Sequence, residues 1–306
     1  MSEPKGPRGE RGARRIGRTR PRPVPRLRAA QTAGRFEEWP VSDPKPESAP
    51  APVRNAATVV LLRDTDCGLQ AYLLRRVRGM AFAAGMTVFP GGAVDPRDAD
   101  AEVGWVGPPP TRWTSPLSAD EPLARALVCA AVRETFEESG VLLAGPSPDA
   151  VCVTDAPDWE ADRAALEHRE LSLAELLARR RLLLRADLLR PWAHWITPPG
   201  ERRRYDTRFL VAALPAGQST RDVSSEADVV EWVRPADALA QLEAGERRML
   251  PPTMVTLEEV SRYESVAEVL AADRSLAPIQ PELSTVDGRL TVRLPDGRVL
   301  EVGTEP

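Results

Sequence analysis

Arg133-Glu134-Thr135-Phe136-Glu137-Glu138-Ser139-Gly140-Val141 is the stretch on which the reading of this chain turns. As a helix it sets Glu134, Glu137 and Glu138 at i, i+3 and i+4, so three carboxylates share one face. Like charges at these spacings repel, by roughly a few tenths of a kcal/mol per pair. A helix that only packs gains nothing from that conflict, and a divalent cation removes it. Mg²⁺ takes oxygen ligands, typically a few carboxylates together with substrate phosphates. Arg133, four residues before Glu137, is placed to hold a carboxylate by charge-assisted hydrogen bonds. A solvated acidic face is the other reading, since adjacent Glu pairs are common on surface helices. The surroundings favour a site: Gly140 stands where a left-handed C-terminal cap is expected, and Val141-Leu142-Leu143 can start a strand.

Upstream, Ser118 with Glu121 three residues on reads as an N-terminal capping box. Leu123, Ala126, Leu127, Ala130 and Ala131 recur at helical spacing, so a helix is expected over about 119–139. Residues 93–117 read as a loop, whose Trp105 and Trp113 either anchor it to the core or cover a substrate. "GMTVFPGG" (85–92) reads as a short strand stopped by Pro90-Gly91-Gly92. "AATVVLLRD" (56–64) and "LQAYLLRR" (69–76) flank a turn and read as a hairpin.

Downstream, 158–190 predicts one or two helices, "TRFLVAAL" (207–214) and "DVVEWV" (228–233) strands, and "PADALAQLEAG" a short helix with Pro235 in its first turn. A helix is expected over 253–271, and "LTVRLPDGRVLEV" reads as a hairpin around Pro295-Asp296-Gly297. Helices mixed with hairpins predict an α/β sandwich on a mixed sheet rather than a doubly wound parallel one.

Composition excludes several classes. No run reaches the ~20 apolar residues of a membrane helix, and the start of the chain lacks the apolar core of a secretory signal. Three cysteines without a C-x-x-C pair argue against a disulfide framework or a zinc site. His168 and His194 are too few and too far apart for a histidine metal cage and read as structural or surface residues. A cytoplasmic location is expected. The net charge of −4 hides an asymmetry: residues 1–28 hold ten Lys/Arg and two Glu, a net of +8 that leaves −12 for the rest. Residues 1–52, rich in Arg, Pro, Gly and Ser, read as a disordered tail. The acidic body argues against nucleic acid as partner.

Together, Arg133, Glu134, Glu137, Glu138, Gly140 and Val141 resemble the second half of the signature of the Nudix hydrolases, with Thr135 where a larger apolar residue is usual. "FPGG" at 89–92 resembles the family's Gly-Gly, and Asp98, six residues after Gly92, stands where the family has Glu. The spacing departs: 40 residues (93–132) separate Gly92 from Arg133, against roughly thirteen in the family signature. Arg125 occupies the place of the Glu of an unbroken box. A Nudix branch with such an insertion, resembling coenzyme A diphosphatases, also shares "HWITPP", "RYDTRFL", "EWVRPADAL" and "LPPT", so the likeness covers about 55–270. Aligned on Phe89, Leu73, Arg76 and Gly85 fit a motif of coenzyme A Nudix enzymes, while Val77 and Ala81 depart from it.

The resemblance implies a Nudix-type α/β/α sandwich over 53–275, with an insertion at 93–117 and an extension at 276–306 carrying a β-hairpin. It implies Mg²⁺ or Mn²⁺ held by Glu134, Glu137, Glu138 and the Gly92 carbonyl, and catalysis by Glu134, Arg133 and Glu226. Glu226 precedes Trp232 by six residues, where the family often has a further acid; Glu231 is the weaker candidate. Arg75, Arg76, Phe89 and Gly91 are the expected substrate-binding residues, with Arg78 and Arg202-Arg203-Arg204 as further cationic donors for coenzyme A. The implied reaction cuts coenzyme A or acyl-coenzyme A into 3′,5′-ADP and 4′-phosphopantetheine. NADH, ADP-ribose or another nucleotide, and a non-catalytic ligand sensor, stay open, as does a homodimer.

Overall fold

The computed structural model describes residues 51–77, 83–100, 102–274, 276–286, 289–294 and 297–304. The basic tail expected over 1–52 lies outside them except for its last two residues, and so do Arg78, Ala81 and the Pro295-Asp296 tip.

The apolar run that begins at Ala56 becomes β1 (Val53–Thr65), the middle of a seven-stranded mixed sheet. A central strand covered on both sides needs apolar residues at odd and even positions alike. Ala57, Val59 and Leu61 join one core cluster, Val60 and Leu62 the other. β2 (Gly68–Arg76) returns antiparallel from the Thr65–Gly68 turn. β3 (Thr87–Val88) continues on β2, and β4 (Gly91–Ala93) pairs with β1 at Ala56–Thr58. The insertion follows. A 3₁₀ turn at Pro96–Ala99, β5 (Trp105–Val106), a second 3₁₀ turn and the short helix α1 (Thr114–Leu117) lead to α2 (Glu121–Ser139).

α2 is capped by Asp120, whose side chain accepts from the Leu123 N–H at 3.0 Å. The expected cap, Ser118, instead ends α1 in the left-handed region at φ 49°. Pro122 decides between them. Capped from Ser118, it would sit where an N–H must donate to the cap carbonyl; capped from Asp120, it falls in the first turn, where no N–H is needed.

β6 (Ala144–Gly145), α3 (Pro157–Glu167), α4 (Leu173–Arg180) and β7 (Leu183–Arg185) come next. The helical reading of 158–190 thus stops at Arg180. Arg181 turns left-handed at φ 55°, and the Leu182-Leu183-Leu184 run, equally suited to strand, pairs with β5 and β6. Val141–Leu143 forms no strand either. The Gln218 side-chain amide takes both polar groups of the Leu142 backbone, at 2.9 and 2.8 Å, in place of a neighbouring strand.

β8 (Leu189–Ile196), unforeseen as a strand, forms the sheet edge beside β9 (Arg204–Ala213), which runs parallel to β1 over ten register pairs. β10 (Ala227–Val233) closes the other edge on β2. α5 (Pro235–Glu243), α6 (Pro251–Val260) and α7 (Val266–Leu270) cover the face opposite α2. The helix expected over 253–271 is therefore two, separated where Ser265 caps the second. β11 (Glu282–Val286), β12 (Arg289–Arg293) and β13 (Val299–Thr304) form a separate antiparallel sheet. Its Val292 and Leu294 are buried in the same cluster as Phe89, Trp195 and Phe209.

Among the described residues no helix is long and apolar enough to cross a membrane. The cysteines are free, Cys67 exposed and Cys129 and Cys152 buried. His194 is buried against Asp206 and His168 caps the end of α3, which fits the structural reading of both.

Candidate active site

A single guanidinium organises the acidic end of α2. Arg133 donates from Nε and Nη2 to both oxygens of Asp98, at 3.0 and 2.9 Å, in the two-pronged geometry that fits a carboxylate. Nη2 also reaches the Ala93 carbonyl at 3.0 Å, while Nη1 serves Glu134 at 2.7 Å and Glu137 at 3.2 Å. Glu138 has no share in that cation; its Oε2 accepts the Gly91 N–H at 2.8 Å. Asp98, noted in the sequence only as a mismatch for Glu, is thus the anchor of the insertion on the helix, and it is 3% exposed.

Several acids share too little positive charge here. Burial, and then the Glu134 charge beside it, push the Glu137 carboxyl up to about 7 despite Arg133. Burial raises Glu134 too, against the pull of Arg133. Glu138 is raised well above the ordinary carboxylate range, by burial and by Glu134, with the Gly91 N–H only partly opposing. Burial works against the Arg133 charge, but Asp98 and the glutamates outweigh it and keep it protonated. Clustered hard oxygen donors with uncompensated charge suit a divalent cation. Among the described residues no three such groups already converge on one point; they reach instead for the guanidinium and for backbone N–H groups.

Two glycines let the backbone come this close. Gly140 caps α2 at φ 74°, its N–H on the Phe136 carbonyl at 2.9 Å, and a Cβ there would lie 2.6 Å from Arg221 Nε. A Cβ on Gly92 would lie 2.5 Å from Glu134 Oε1. Gly92→Ala is therefore expected to push Glu134 aside, lowering kcat by about 10²-fold, the order seen when catalytic groups are misplaced by an ångström. Circular dichroism and melting within about 2 °C of wild type would show that the fold survives.

A cavity of about 590 Å³ opens from this end. It is lined by Arg133, Glu134, Glu137 and Glu138, by Phe89, Gly91 and Gly92, and by Arg76 and Glu226. The last two, expected as substrate and catalytic residues, form an ion pair at 2.8 Å. Arg75 departs from its expected place. Successive side chains on a strand point to opposite faces, so it leaves the cavity and pairs with Asp228 at 2.7 Å, half exposed. Glu231 pairs with Arg247 outside the cavity. Of Arg202–Arg204 only Arg203 lines it, and Trp105 and Trp113 do not. Trp113 is buried with its indole N–H on the Pro108 carbonyl, anchoring the insertion.

The far end of the cavity was not assigned from the sequence. It is built by Trp195 of β8, Tyr205, Thr207 and Phe209 of β9, Leu250, Pro251 and Pro252 at the start of α6, and Val292 of β12. The period-two pattern of "RYDTRFL" held part of that signal, since Tyr205, Thr207 and Phe209 share one face.

Comparison with known proteins follows this geometry. A family model, the NUDT19 Nudix domain, matches residues 109–262. The acyl-coenzyme A diphosphatase NUDT19 of Gallus gallus is 27% identical in an alignment of 250 residues that covers 69% of this chain and 66% of that protein. The Homo sapiens protein of the same name is 26% identical over 241 residues, 66% of this chain and 63% of its own length. Putative nudix hydrolase 7 of Caenorhabditis elegans is 28% identical, over 69% of this chain and 61% of that one. The chain thus spans less than two thirds of the length of these curated relatives. The crystal structure of a NUDIX hydrolase from Alicyclobacillus acidocaldarius superposes with a TM-score of 0.63 at 29% identity, covering 75% of this chain and 100% of that one.

Proposed function

Because this chain belongs to the family of the NUDT19 Nudix domain, we propose that it hydrolyses the diphosphate link of coenzyme A or acyl-coenzyme A, releasing 3′,5′-ADP and the 4′-phosphopantetheine half. The observation that carries the reading is the set Glu134, Glu137 and Glu138, the first two held by Arg133 and the third by the Gly91 N–H, at one end of a cavity large enough for such a substrate. The curated relatives named for acyl-coenzyme A supply the substrate class.

In this proposal a Mg²⁺ or Mn²⁺ cation, when bound, neutralises diphosphate oxygens and lowers the pKa of a water. Glu134, Glu137 and Glu138, with the Gly92 carbonyl, would hold it. Arg133 fixes Glu134 and Glu137 from behind, itself fixed by Asp98. The unsubstituted Gly91-Gly92 backbone lets the diphosphate approach closely, and Phe89 walls the passage. Arg76 takes a phosphate oxygen, which frees Glu226 from its ion pair. Glu134 or Glu226 accepts the proton of the attacking water. Charge spreads over the phosphoryl oxygens as the bond to the leaving oxygen breaks, so positioning and electrostatics dominate. We assign residues 53–275 to the hydrolase domain and 276–306 to an extension, and place the activity in the cytoplasm.

The test is cleavage across coenzyme A, acyl-coenzyme A, NADH, ADP-ribose and capped RNA with Mg²⁺ or Mn²⁺. Selective release of 3′,5′-ADP from the coenzyme A compounds is expected. Selective cleavage of another member would keep the metal site and discard this substrate. A folded chain that cleaves nothing would point to a ligand sensor.

A further inference from the structure

The cavity is divided by chemistry. Arg76, Arg97 and Arg133 gather at the glutamate end: Arg76 pairs with Glu226, Arg97 with Asp95, Arg133 with the acids of α2. Arg169 belongs there too, because its carbonyl accepts from Arg97 Nη1 at 3.2 Å. It is held in the left-handed region at φ 61°, and its exposed guanidinium has no ion-pair partner among the described residues. The other end is walled by Phe89, Trp195, Phe209, Leu250, Pro251 and Val292. Arg203, on the β8–β9 turn, is the one lining cation outside the glutamate group, and it stands exposed at the rim.

The two halves of a coenzyme A substrate differ in the same way. The 3′,5′-ADP half carries an extra phosphate, whose desolvation without a cation is prohibitive. The pantetheine arm is uncharged: a gem-dimethyl carbon, a hydroxyl, two amides, a sulfur and, in acyl forms, an aliphatic chain. Trp195 adds a second, independent pointer. It is 3% exposed, and its Nε1–H has no acceptor among the described residues. A buried donor left unmet carries a desolvation penalty; Nε1 is closed to solvent as it stands, so a small rotation of the indole toward the cavity is what lets an amide carbonyl or the hydroxyl of the arm meet it.

We infer, resting on the coenzyme A reading above, that the apolar end of the cavity receives the pantetheine arm, with the acyl chain running toward Val292, and that the 3′,5′-ADP half lies toward Arg97 and Arg169. The C-terminal sheet is then part of the specificity apparatus. It lies beyond residues 109–262, the span of the family model, yet it is tied to the hydrolase sheet through Ile279. That residue exchanges backbone hydrogen bonds with His194 and Ile196 at 2.8 and 2.9 Å, which sets Pro281 and Val292 over the cavity. The tolerated acyl length is set there and not by the catalytic helix.

The experiment measures product inhibition and acyl selectivity in the full chain with Mg²⁺. Trp195→Phe keeps the ring and removes the donor. It is expected to raise the inhibition constant of 4′-phosphopantetheine about five- to tenfold, the range of one net hydrogen bond. That of 3′,5′-ADP should stay within about twofold. Val292→Phe is expected to lower kcat/KM for dodecanoyl-coenzyme A at least about tenfold more than for coenzyme A, by overfilling the chamber. Weaker 3′,5′-ADP inhibition in Trp195→Phe, or no change for either product, would overturn the inference, whether or not Val292→Phe folds. A wild-type chain that does not cleave coenzyme A at all would instead sink the functional reading beneath it, and that shows before any variant is made.

Discussion

Glu138→Gln is expected to lower kcat by about 10³-fold or more at saturating divalent cation, the scale on which removing one electrostatic or metal-holding group acts. The shape is conserved, and the amide oxygen can still accept the Gly91 N–H that the carboxylate accepts at 2.8 Å. Stability should move the other way. Burial and the neighbouring Glu134 raise Glu138 well above the ordinary carboxylate range. A group whose folded pKa is raised contributes stability that is full below its unfolded value and is lost as pH rises through the folded one. The metal-free wild type therefore loses stability from about pH 4.3 upward, with Glu137 adding to the loss up to about 7. The substituted amide does not ionise, so the metal-free variant should melt at the same temperature near pH 4 and higher than wild type at pH 8. Melting curves across pH with and without chelator read both effects. Near-native turnover in a folded Glu138→Gln would remove this carboxylate from the site.

Arg133→Ala has the largest expected effect on stability. The guanidinium bonds to Asp98, Glu134 and Glu137, and removing the cation of a buried set leaves uncompensated charge worth about 3–5 kcal/mol. The deficit should grow with pH, because Glu134 and Glu137, two of the carboxylates it abandons, are ionised only above their raised values, which for Glu137 is about 7 even with Arg133 present. Urea titrations at pH 5 and pH 8 test this, and equal losses at the two values would count against the electrostatic account. Added divalent cation should recover part of the loss at pH 8 by supplying the missing positive charge. Activity should not return, since Glu134 has lost the group that aims it.

What the sequence revealed was local in it. The carboxylate face of α2, its Gly140 cap and the β1–β2 hairpin rest on spacings of one to four residues, and these are the periodicities a chain displays on inspection. The contact that fixes the site, Arg133 to Asp98, joins residues 35 apart across an irregular insertion, where no periodicity points from one to the other. The apolar end of the cavity is assembled from the β3–β4 turn, β8, β9, α6 and β12, so only the tertiary fold brings it together. β8 was hidden because Pro191 and a register shift interrupt its alternation, and the leucines before it suit helix and strand alike. Arg75 was misplaced because two adjacent arginines look equivalent until the pleat separates them.

The pinning of the insertion at both ends bears on how this chain can change over generations. Asp98 on Arg133 fixes the entry, and Asp120 on the first turn of α2 fixes the exit. The exposed Gly107-Pro108-Pro109 stretch between them touches neither the acids nor the cavity. Doubling the length of a flexible loop costs only about 0.6 kcal/mol in closure entropy. A signature interrupted at this point can thus absorb further residues at low cost beside the Pro108 carbonyl, whose hold by the indole N–H groups of Trp105 and Trp113 must be kept, and lineages can drift in length there while the chemistry on either side stays in register.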